Sequence, residues 1–202
     1  MNAIKSKISG LILAGGFSRR MGRDKALLDF HGKPQLEHVN ELLEKYCEKV
    51  FLSKREGQEA YRGFSSINDA PEFSDHGPLG GILSAMKEYP QANWLVIACD
   101  LPNITDETIQ TLLTMRDPQK TATAYISTHD DLPEPLCAVW EAHAFDSILK
   151  LFNEGVHCPR KVLIKSDTCL IQQKDPRWLN NINTLQEYER SKSRDRHDFK
   201  KS

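Results

Sequence analysis

The sequence predicts a single α/β domain in which helices cover both faces of a mostly parallel central sheet. Apolar runs of strand length alternate with segments of helical periodicity, which is the pattern of successive β-α-β units. Several runs are apolar almost throughout, as expected for strands that are buried on both faces. The chain has 202 residues, of which 39% are hydrophobic and 27% charged, so it can form one sizeable core. We expect this domain to cover residues 1–190.

Six apolar runs of strand length are the predicted strands. They cover residues 8–13, 49–53, 93–99, 122–127, 135–140 and 168–172. A shorter apolar segment precedes Asp69. We therefore expect Asp69 to lie at the end of a further strand.

Four segments between these runs carry apolar residues at helical spacing. They cover residues 34–47, 77–89, 105–115 and 143–155. Thr105 is the predicted N-cap of the third helix, and Gly155 is the predicted C-terminal stop of the fourth. A capping box at residues 184–187 predicts one more short helix. Residues 191–202 are charged and lack apolar periodicity, which predicts a disordered tail.

The composition argues against several classes of function. The formal net charge is −1, so no global field favours nucleic acid or an anionic membrane, and an anion would have to be bound locally. The five cysteines are odd in number and contain no Cys-x-x-Cys pair, which argues against a disulfide framework and a structural zinc site. Neither a signal peptide nor a stretch of membrane-spanning length is evident, and we expect a cytoplasmic protein.

The first predicted strand ends in a glycine-rich turn, within the stretch LAGGFSRRMGRDKA at residues 13–26. Gly15 and Gly16 allow a ligand to approach the main chain, and consecutive N–H groups in such a turn suit phosphate oxygens. Four cations follow within seven residues: Arg19, Arg20, Arg23 and Lys25. Because ligands of open parallel sheets bind at the carboxyl ends of the strands, this turn is a predicted polyphosphate site.

The turn matches neither of the two common phosphate-binding fingerprints. It lacks Gly-x-Gly-x-x-Gly, and Lys25 is neither preceded by glycine nor followed by Ser or Thr as in a P-loop. A surface turn with solvated basic residues is the alternative. The clustering of cations at the end of the first strand favours phosphate binding.

The stretch LILAGGFSRRMGRDKALL resembles the Leu-Ala-Gly-Gly-x-Ser-x-Arg-Met-Gly-x-Asp-Lys signature of nucleotidyltransferases, and more narrowly that of molybdenum cofactor guanylyltransferases. The resemblance implies a Rossmann-like fold of the nucleotide-diphospho-sugar transferase type. It implies that residues 13–16 (Leu13, Ala14, Gly15 and Gly16) line the base and phosphates of a nucleoside triphosphate. It further implies that Arg19 and Lys25 contact the triphosphate.

Asp100 follows the most apolar of the predicted strands and would face the same edge of the sheet as the turn. Magnesium prefers oxygen ligands and accepts one or two carboxylates together with phosphates and waters. Capping of the next helix is the alternative role, but Thr105 suits it better. We therefore predict that Asp100 binds magnesium, and the resembling family has an Asp-x-Pro with this role.

A second glycine-rich segment, GPLGGI at residues 77–82, resembles another signature of the same family. The resemblance places Asp69 near the guanosine. Asp75 is open to two interpretations, a site residue or a cap of the following helix. Ser53 stands where related guanylyltransferases often carry Asn, and it retains a hydrogen-bonding hydroxyl.

Asn181 and Asn183 alternate along an extended segment, so both could point to one side. Turn and N-cap chemistry is an equally good interpretation from the residues alone. The segment NNINTLQEYE is similar to one that follows the last strand in molybdenum cofactor guanylyltransferases, where the asparagines lie towards the acceptor pocket. Leu185 replaces the proline that is usual in that family.

Together, these features predict a magnesium-dependent enzyme that transfers GMP from GTP to Mo-molybdopterin and releases pyrophosphate. Lys25, Arg19 and Asp100 are the predicted catalytic residues. The resemblance also implies molybdoenzymes or their chaperones as protein partners. Other nucleotidyl transfers remain alternatives, either cytidylyl transfer to the same pterin or transfer to a sugar or polyol phosphate. An alternative of another class is a non-catalytic nucleotide-binding chaperone of the cofactor.

Overall fold

The computed structural model describes residues 8–14, 28–55, 57–58 and 61–181. Within them, seven strands form one sheet in the order β3-β2-β1-β4-β6-β5-β7. Their bounds are β1 Ile8–Leu13, β2 Val50–Lys54, β3 Ser66–Asn68, β4 Asn93–Ala98, β5 Ala122–Ile126, β6 Pro133–Trp140 and β7 Thr168–Ile171. The sheet is mostly parallel, as the sequence predicts.

Strand β6 is the antiparallel member of this sheet, since it runs against both of its neighbours, β4 and β5. It follows β5 directly through a turn in which Asp131 has a positive φ of 57°. Aspartate tolerates this left-handed conformation better than most residues do. The reversal brings the end of β6 to the edge where the parallel strands begin.

Five α-helices accompany the strands in the described part of the chain. They are α1 Gln35–Glu44, α2 Gly77–Glu88, α3 Asp106–Thr114, α4 Phe145–Asn153 and α5 Pro159–Lys165. A Cβ placed on Gly10 of β1 would meet Leu43 of α1, whereas Leu13, on the opposite face of the same strand, approaches Gly81 of α2. Helices α1 and α2 therefore cover opposite faces of the sheet.

The core lies between the central strands and these helices. Trp94 of β4 and Trp140 of β6 are buried and pair across the two strands. The apolar face predicted for α2 is also buried, with Leu79, Ile82 and Leu83 completely inaccessible. Cys99 and Cys137 are buried, as expected for small core residues.

Helix α2 approaches the sheet closely because two of its residues lack side chains. A Cβ on Gly80 would lie 2.2 Å from the carbonyl oxygen of Phe73, which belongs to a 3₁₀ turn before the helix. A Cβ on Gly81 would lie 2.3 Å from Ser53 Oγ and 3.2 Å from Leu13 Cδ2. The two glycines of the GPLGGI segment thus allow the start of α2 to pack against the ends of β1 and β2.

The predicted strands and helices agree with the observed ones to within one to three residues. Thr105 caps α3 through the amide of Thr108, which donates to the Thr105 hydroxyl at 3.4 Å, and Gly155 has a φ of 87° after α4. The sequence analysis did not predict α5 or the reversal of β6. The helix expected at residues 184–187 and the tail at 191–202 lie outside the described residues. Among those described, none of the helices has both the length and the apolar character required to cross a bilayer.

Candidate functional site

The carboxyl ends of β1, β2, β3 and β4 form one edge of the sheet, and most of the predicted site residues that the structure describes lie there. Leu13, at the end of β1, is in register with Ser53 of β2 and with Ala98 of β4. The amide of Cys99 donates to the carbonyl oxygen of Leu13 at 3.2 Å. Asp100 is the next residue, so it leaves the sheet beside the point where the glycine-rich stretch begins.

A small cavity opens at this edge between the ends of β1, β2 and β3 and the start of α2. Its lining combines apolar surface with acidic, basic and amide groups. The lining residues are Leu13, Ala14, Ser53, Arg55, Gln58, Asp69, Gly77 and Pro78. Four of the residues predicted for nucleotide binding therefore border one cavity.

Asp69 and Ser53 form the polar centre of this cavity. The Ser53 hydroxyl donates to Asp69 Oδ1 at 3.4 Å. Burial raises the pKa of the Asp69 carboxyl, with Asp75 adding to the rise, while the Ser53 hydrogen bond and the charge of Arg55 oppose it. When ionised, this carboxylate can only accept hydrogen bonds, so it suits a ligand that presents N–H or O–H groups.

The backbone around Asp69 is fixed from two sides. The Asp69 amide donates to the carbonyl oxygen of Lys54 at 2.8 Å, which extends the pairing of β2 with β3 by one residue. The next amide, that of Ala70, donates to Ser84 Oγ at 2.8 Å, and this hydroxyl donates in turn to the Gly80 carbonyl at 2.7 Å. A site residue held in this way needs little reorganisation when a ligand binds.

The start of α2 borders the same cavity, and it bears on the capping role considered for Asp75. The N-cap residue is His76, and no side chain caps the helix, so the proposal that Asp75 caps it is wrong. Asp75 instead adopts a left-handed backbone with φ of 61°, which turns the chain into the helix. The His76 ring packs against Phe152 and His157, with centroid separations of 4.7 and 4.1 Å.

The residues after Asp100 form a loop, Leu101 to Ile104, that leads to the capped start of α3. The Asn103 amide nitrogen donates to the carbonyl oxygen of Arg177 at 2.9 Å. The nearby Asn180 accepts a hydrogen bond through its Oδ1 from His129 Nε2 at 3.2 Å, at the turn between β5 and β6. The segment that ends at the exposed Asn181 is thereby held beside the Asp100 loop.

Several predicted site residues lie outside the described residues. They are Gly15, Gly16, Arg19, Lys25 and Asn183. Ala14 and Leu28 stand on either side of residues 15–27 in the chain, and both are buried.

Asp100 is the predicted magnesium ligand, and the described residues contain no cluster of three or more His, Cys, Asp or Glu side chains that could hold a metal ion. That part of the chain therefore contains no metal site built entirely from such side chains. Magnesium commonly keeps several waters and binds through one or two carboxylates and substrate phosphates. A single carboxylate at the edge where phosphates are expected fits that mode of binding.

Sequence reasoning missed Arg55, Gln58 and Pro78 as cavity residues. Arg55 directly follows β2, so the strand-end rule that pointed to Asp69 could have found it. Arg160, a basic residue of α5, donates to Asp130 at 2.8 Å and to Glu134 at 2.9 Å, so carboxylates already compensate its charge.

Solved structures from several organisms share this fold. Molybdopterin-guanine dinucleotide biosynthesis protein A from Archaeoglobus fulgidus aligns with a TM-score of 0.75 at 22% identity, covering 94% of this chain and all of that one. The 2-C-methyl-D-erythritol 4-phosphate cytidylyltransferase from Thermus thermophilus aligns with a TM-score of 0.67 at 12% identity, over 94% and 98% of the two chains. The protein thus has the fold of nucleotide-diphospho-sugar transferases.

Sequence comparisons narrow this class. Residues 10–169 match the MobA-like NTP transferase domain. A probable molybdenum cofactor guanylyltransferase from Bacillus cereus is 30% identical over 91% of this chain and 94% of its own length. A molybdenum cofactor biosynthesis bifunctional protein from Synechocystis is 38% identical over 91% of this chain, which spans 53% of that longer protein. The chain therefore belongs to the MobA-like NTP transferase family and is a nucleotidyltransferase.

Proposed function

We propose that this nucleotidyltransferase transfers GMP from GTP to the terminal phosphate of Mo-molybdopterin and releases pyrophosphate. The observation that carries the proposal is the meeting of Leu13, Ser53, Asp69 and Asp100 at one edge of the sheet. Nucleoside and phosphate groups of one GTP molecule could contact all of these positions. The names of the relatives supply the guanylyl group and the pterin acceptor.

The guanosine occupies the cavity beside α2 in this proposal. The Ser53 hydroxyl and the Asp69 carboxylate accept hydrogen bonds from it, while Leu13 and Ala14 provide apolar contact. Guanine presents N1–H and 2-amino donors on one edge, which complements an ionised carboxylate. The raised pKa of Asp69 reflects a burial cost that such donors would offset.

The triphosphate extends from this cavity along the glycine-rich stretch towards Asp100. Amides at Gly15 and Gly16 donate to phosphate oxygens, and Arg19 and Lys25 neutralise their charge. Asp100 holds a magnesium ion, which when bound compensates charge on the phosphates. Asn181 and Asn183 contact the acceptor, since the segment ending at Asn181 lies beside the Asp100 loop.

The chemistry needs positioning more than proton transfer. An oxygen of the pterin phosphate attacks the α-phosphorus of GTP, a new P–O bond forms, and the bond to the bridging oxygen of the β-phosphate breaks. The electron pair leaves with pyrophosphate. A phosphate monoester is already an anionic nucleophile at neutral pH, so no general base is required. Lys25 and Arg19 stabilise the charge that moves onto the leaving group.

Pyrophosphate release tests this function directly. The purified chain is incubated with magnesium and GTP, CTP, ATP or UTP, each with Mo-molybdopterin, with a sugar phosphate, or without an acceptor. We expect pyrophosphate release only when GTP and Mo-molybdopterin are both present. Release from CTP with the same acceptor would indicate cytidylyl transfer, and release with a sugar phosphate would assign another acceptor. GTP binding without release under any condition would indicate a nucleotide-binding chaperone.

A further inference from the structure

The loop that follows Asp100 is held by three side chains from the segment that follows the glycine-rich stretch. His31 Nε2 lies 2.9 Å from the carbonyl oxygen of Pro102. Gln35 Nε2 donates to the carbonyl oxygen of Leu101 at 3.2 Å, and His38 Nε2 lies 3.5 Å from that of Ile104. A carbonyl oxygen only accepts hydrogen bonds, so both histidines donate from Nε2. We call His31, Gln35 and His38 the loop clamp.

Gln35 places a polar amide side chain in a fully buried position, which costs free energy unless the amide is hydrogen-bonded. It is completely buried, and among the described residues its Oε1 has no hydrogen-bond partner. An apolar side chain of similar size would avoid this unsatisfied acceptor. The benefit that Gln35 brings is therefore its bond to Leu101, the residue next to Asp100.

The two histidines act as a unit around this amide. Their rings stack with a centroid separation of 3.9 Å and an interplanar angle of 25°. Gln35 and His38 lie three residues apart on α1, so they share one face of the helix, while His31 approaches from the preceding turn. All three donors therefore reach one four-residue loop from a single stretch of chain.

The loop clamp connects the segment that follows the glycine-rich stretch to the loop that follows Asp100. Residues 15–27 lie between Ala14 and Leu28 in the chain. The carbonyl oxygen of Leu28 accepts a hydrogen bond from the amide of Gln35 at 2.8 Å. The segment that leaves the glycine-rich stretch is thus the one that holds the Asp100 loop. From the opposite side, Asn103 ties the same loop to Arg177.

We propose that His31, Gln35 and His38 are positioning residues that fix the Asp100 carboxylate for the binding of magnesium-bound GTP. This inference rests on the proposed function, because it concerns the carboxylate to which that function assigns the metal. The clamp residues themselves need not contact nucleotide. Groups that orient a metal ligand commonly change metal affinity by about 10- to 100-fold when they are removed.

The test compares GTP affinity in magnesium with GTP affinity in EDTA, measured by calorimetry without an acceptor. His31→Phe keeps a ring for stacking and removes the donor, and Gln35→Met removes the buried amide. We expect each to reduce the advantage that magnesium gives by about tenfold. GTP affinity in EDTA should stay within about twofold of the wild type. His38→Gln retains a donor and should keep the advantage, whereas His38→Leu should lose it.

Gln173→Met is the matched control for a structural effect. Gln173 also donates to a backbone carbonyl, that of Ile126 at 2.8 Å, and also has a buried Oε1 without a partner among the described residues. It follows β7, which lies three strands from β4 in the sheet. If the clamp variants lower the melting temperature as Gln173→Met does, yet retain the magnesium advantage, the clamp is only structural and the inference is wrong.

Asp100→Asn separates failure of this inference from failure of the proposed function. We expect this variant to lose the magnesium advantage, because the amide is a poorer magnesium ligand than the carboxylate. If it keeps the advantage, the metal role of Asp100 is wrong and the positioning role falls with it. If Asp100→Asn loses the advantage and the clamp variants retain it, only the positioning role is wrong.

Discussion

Asp69 combines a structural penalty with a proposed binding role at the scale of a single residue. Its carboxyl is half-buried, it accepts one hydrogen bond from Ser53, and its pKa is raised mainly by burial. A raised pKa in the folded state means that the ionised form is less well accommodated in the protein than in the unfolded chain. Under the proposed function, hydrogen-bond donors of the guanosine would offset this cost.

Asp69→Asn should stabilise the protein at neutral pH and weaken GTP binding. Since the folded-state pKa lies above the unfolded one, the wild type carries its penalty above the folded pKa and loses it as the pH falls below the unfolded value, about 4. The gain in melting temperature from Asn should thus be largest near pH 7 and vanish near pH 4. Thermal unfolding of both proteins between these pH values tests this. A difference that does not change with pH would contradict it.

The strand-end rule made Asp69 predictable from sequence, but its contact with Ser53 was not predictable. A short apolar segment before Asp69 indicated a strand end, and β3 stops at Asn68. The Ser53–Asp69 contact depends on β2 pairing with β3 in a particular register, and nothing local to either residue specifies it. The three bonds of the loop clamp were equally hidden, because α1 meets the Asp100 loop across more than sixty residues of chain.

At the scale of the element, helix α2 sets the shape of the nucleoside cavity. Gly80 and Gly81 allow it to pack directly on the 3₁₀ turn and on Ser53. The obstacle to a larger residue differs between the two positions. At Gly80 the obstacle is a backbone carbonyl, which cannot move alone, whereas at Gly81 the nearest atom is the Ser53 hydroxyl, which can rotate.

Gly81→Ala should therefore impair binding more than stability. The Cβ displaces the Ser53 hydroxyl and breaks its bond to Asp69, while alanine gains about 1 kcal/mol in helix propensity. We expect GTP affinity to fall about fivefold, the equivalent of one hydrogen bond, with little change in unfolding free energy. Gly80→Ala is the contrasting variant, and overpacking should destabilise it by about 1–3 kcal/mol. Equal losses of stability in both variants would argue against this distinction.

Elements with a strong apolar pattern were predictable, and short or reversed ones were not. The strand from Ile8 to Leu13 was predicted with its observed bounds because it is mostly apolar and a glycine pair follows it after one residue. Helix α5 has only seven residues, too few for a clear periodicity. The antiparallel direction of β6 follows from the turn at Asp131, and a run of apolar residues carries no information about strand direction.

At the scale of the whole molecule, one sheet edge carries the site and the opposite edge carries a buried ion pair. Arg116 donates to both carboxylate oxygens of Glu141 at 2.7 Å. Glu141 is 1% exposed and directly follows β6, whose end lies beside the first residues of β4 and β5. This pair is therefore a stability feature remote from the proposed nucleotide site.

Arg116→Ala should destabilise the protein without changing GTP affinity. Removal of one partner leaves a buried carboxylate without its cation, which costs about 3–5 kcal/mol. Denaturant unfolding measures the loss, and calorimetry of the folded variant measures GTP affinity. Lys120→Ala is the control, since it removes an exposed ion pair with Asp167 and should cost less than about 1 kcal/mol. A large change in GTP affinity for Arg116→Ala would contradict the separation of the two edges.

The central claim is that Asp100 supports magnesium-dependent nucleotidyl transfer at the carboxyl edge of the sheet. The most direct measurement is pyrophosphate release from GTP and Mo-molybdopterin by the wild type and by Asp100→Ala, across a magnesium titration. Far-ultraviolet circular dichroism and the melting temperature establish that the variant is folded. We expect the folded variant to have no detectable turnover at any magnesium concentration. Near-normal, magnesium-dependent turnover by Asp100→Ala would contradict the claim.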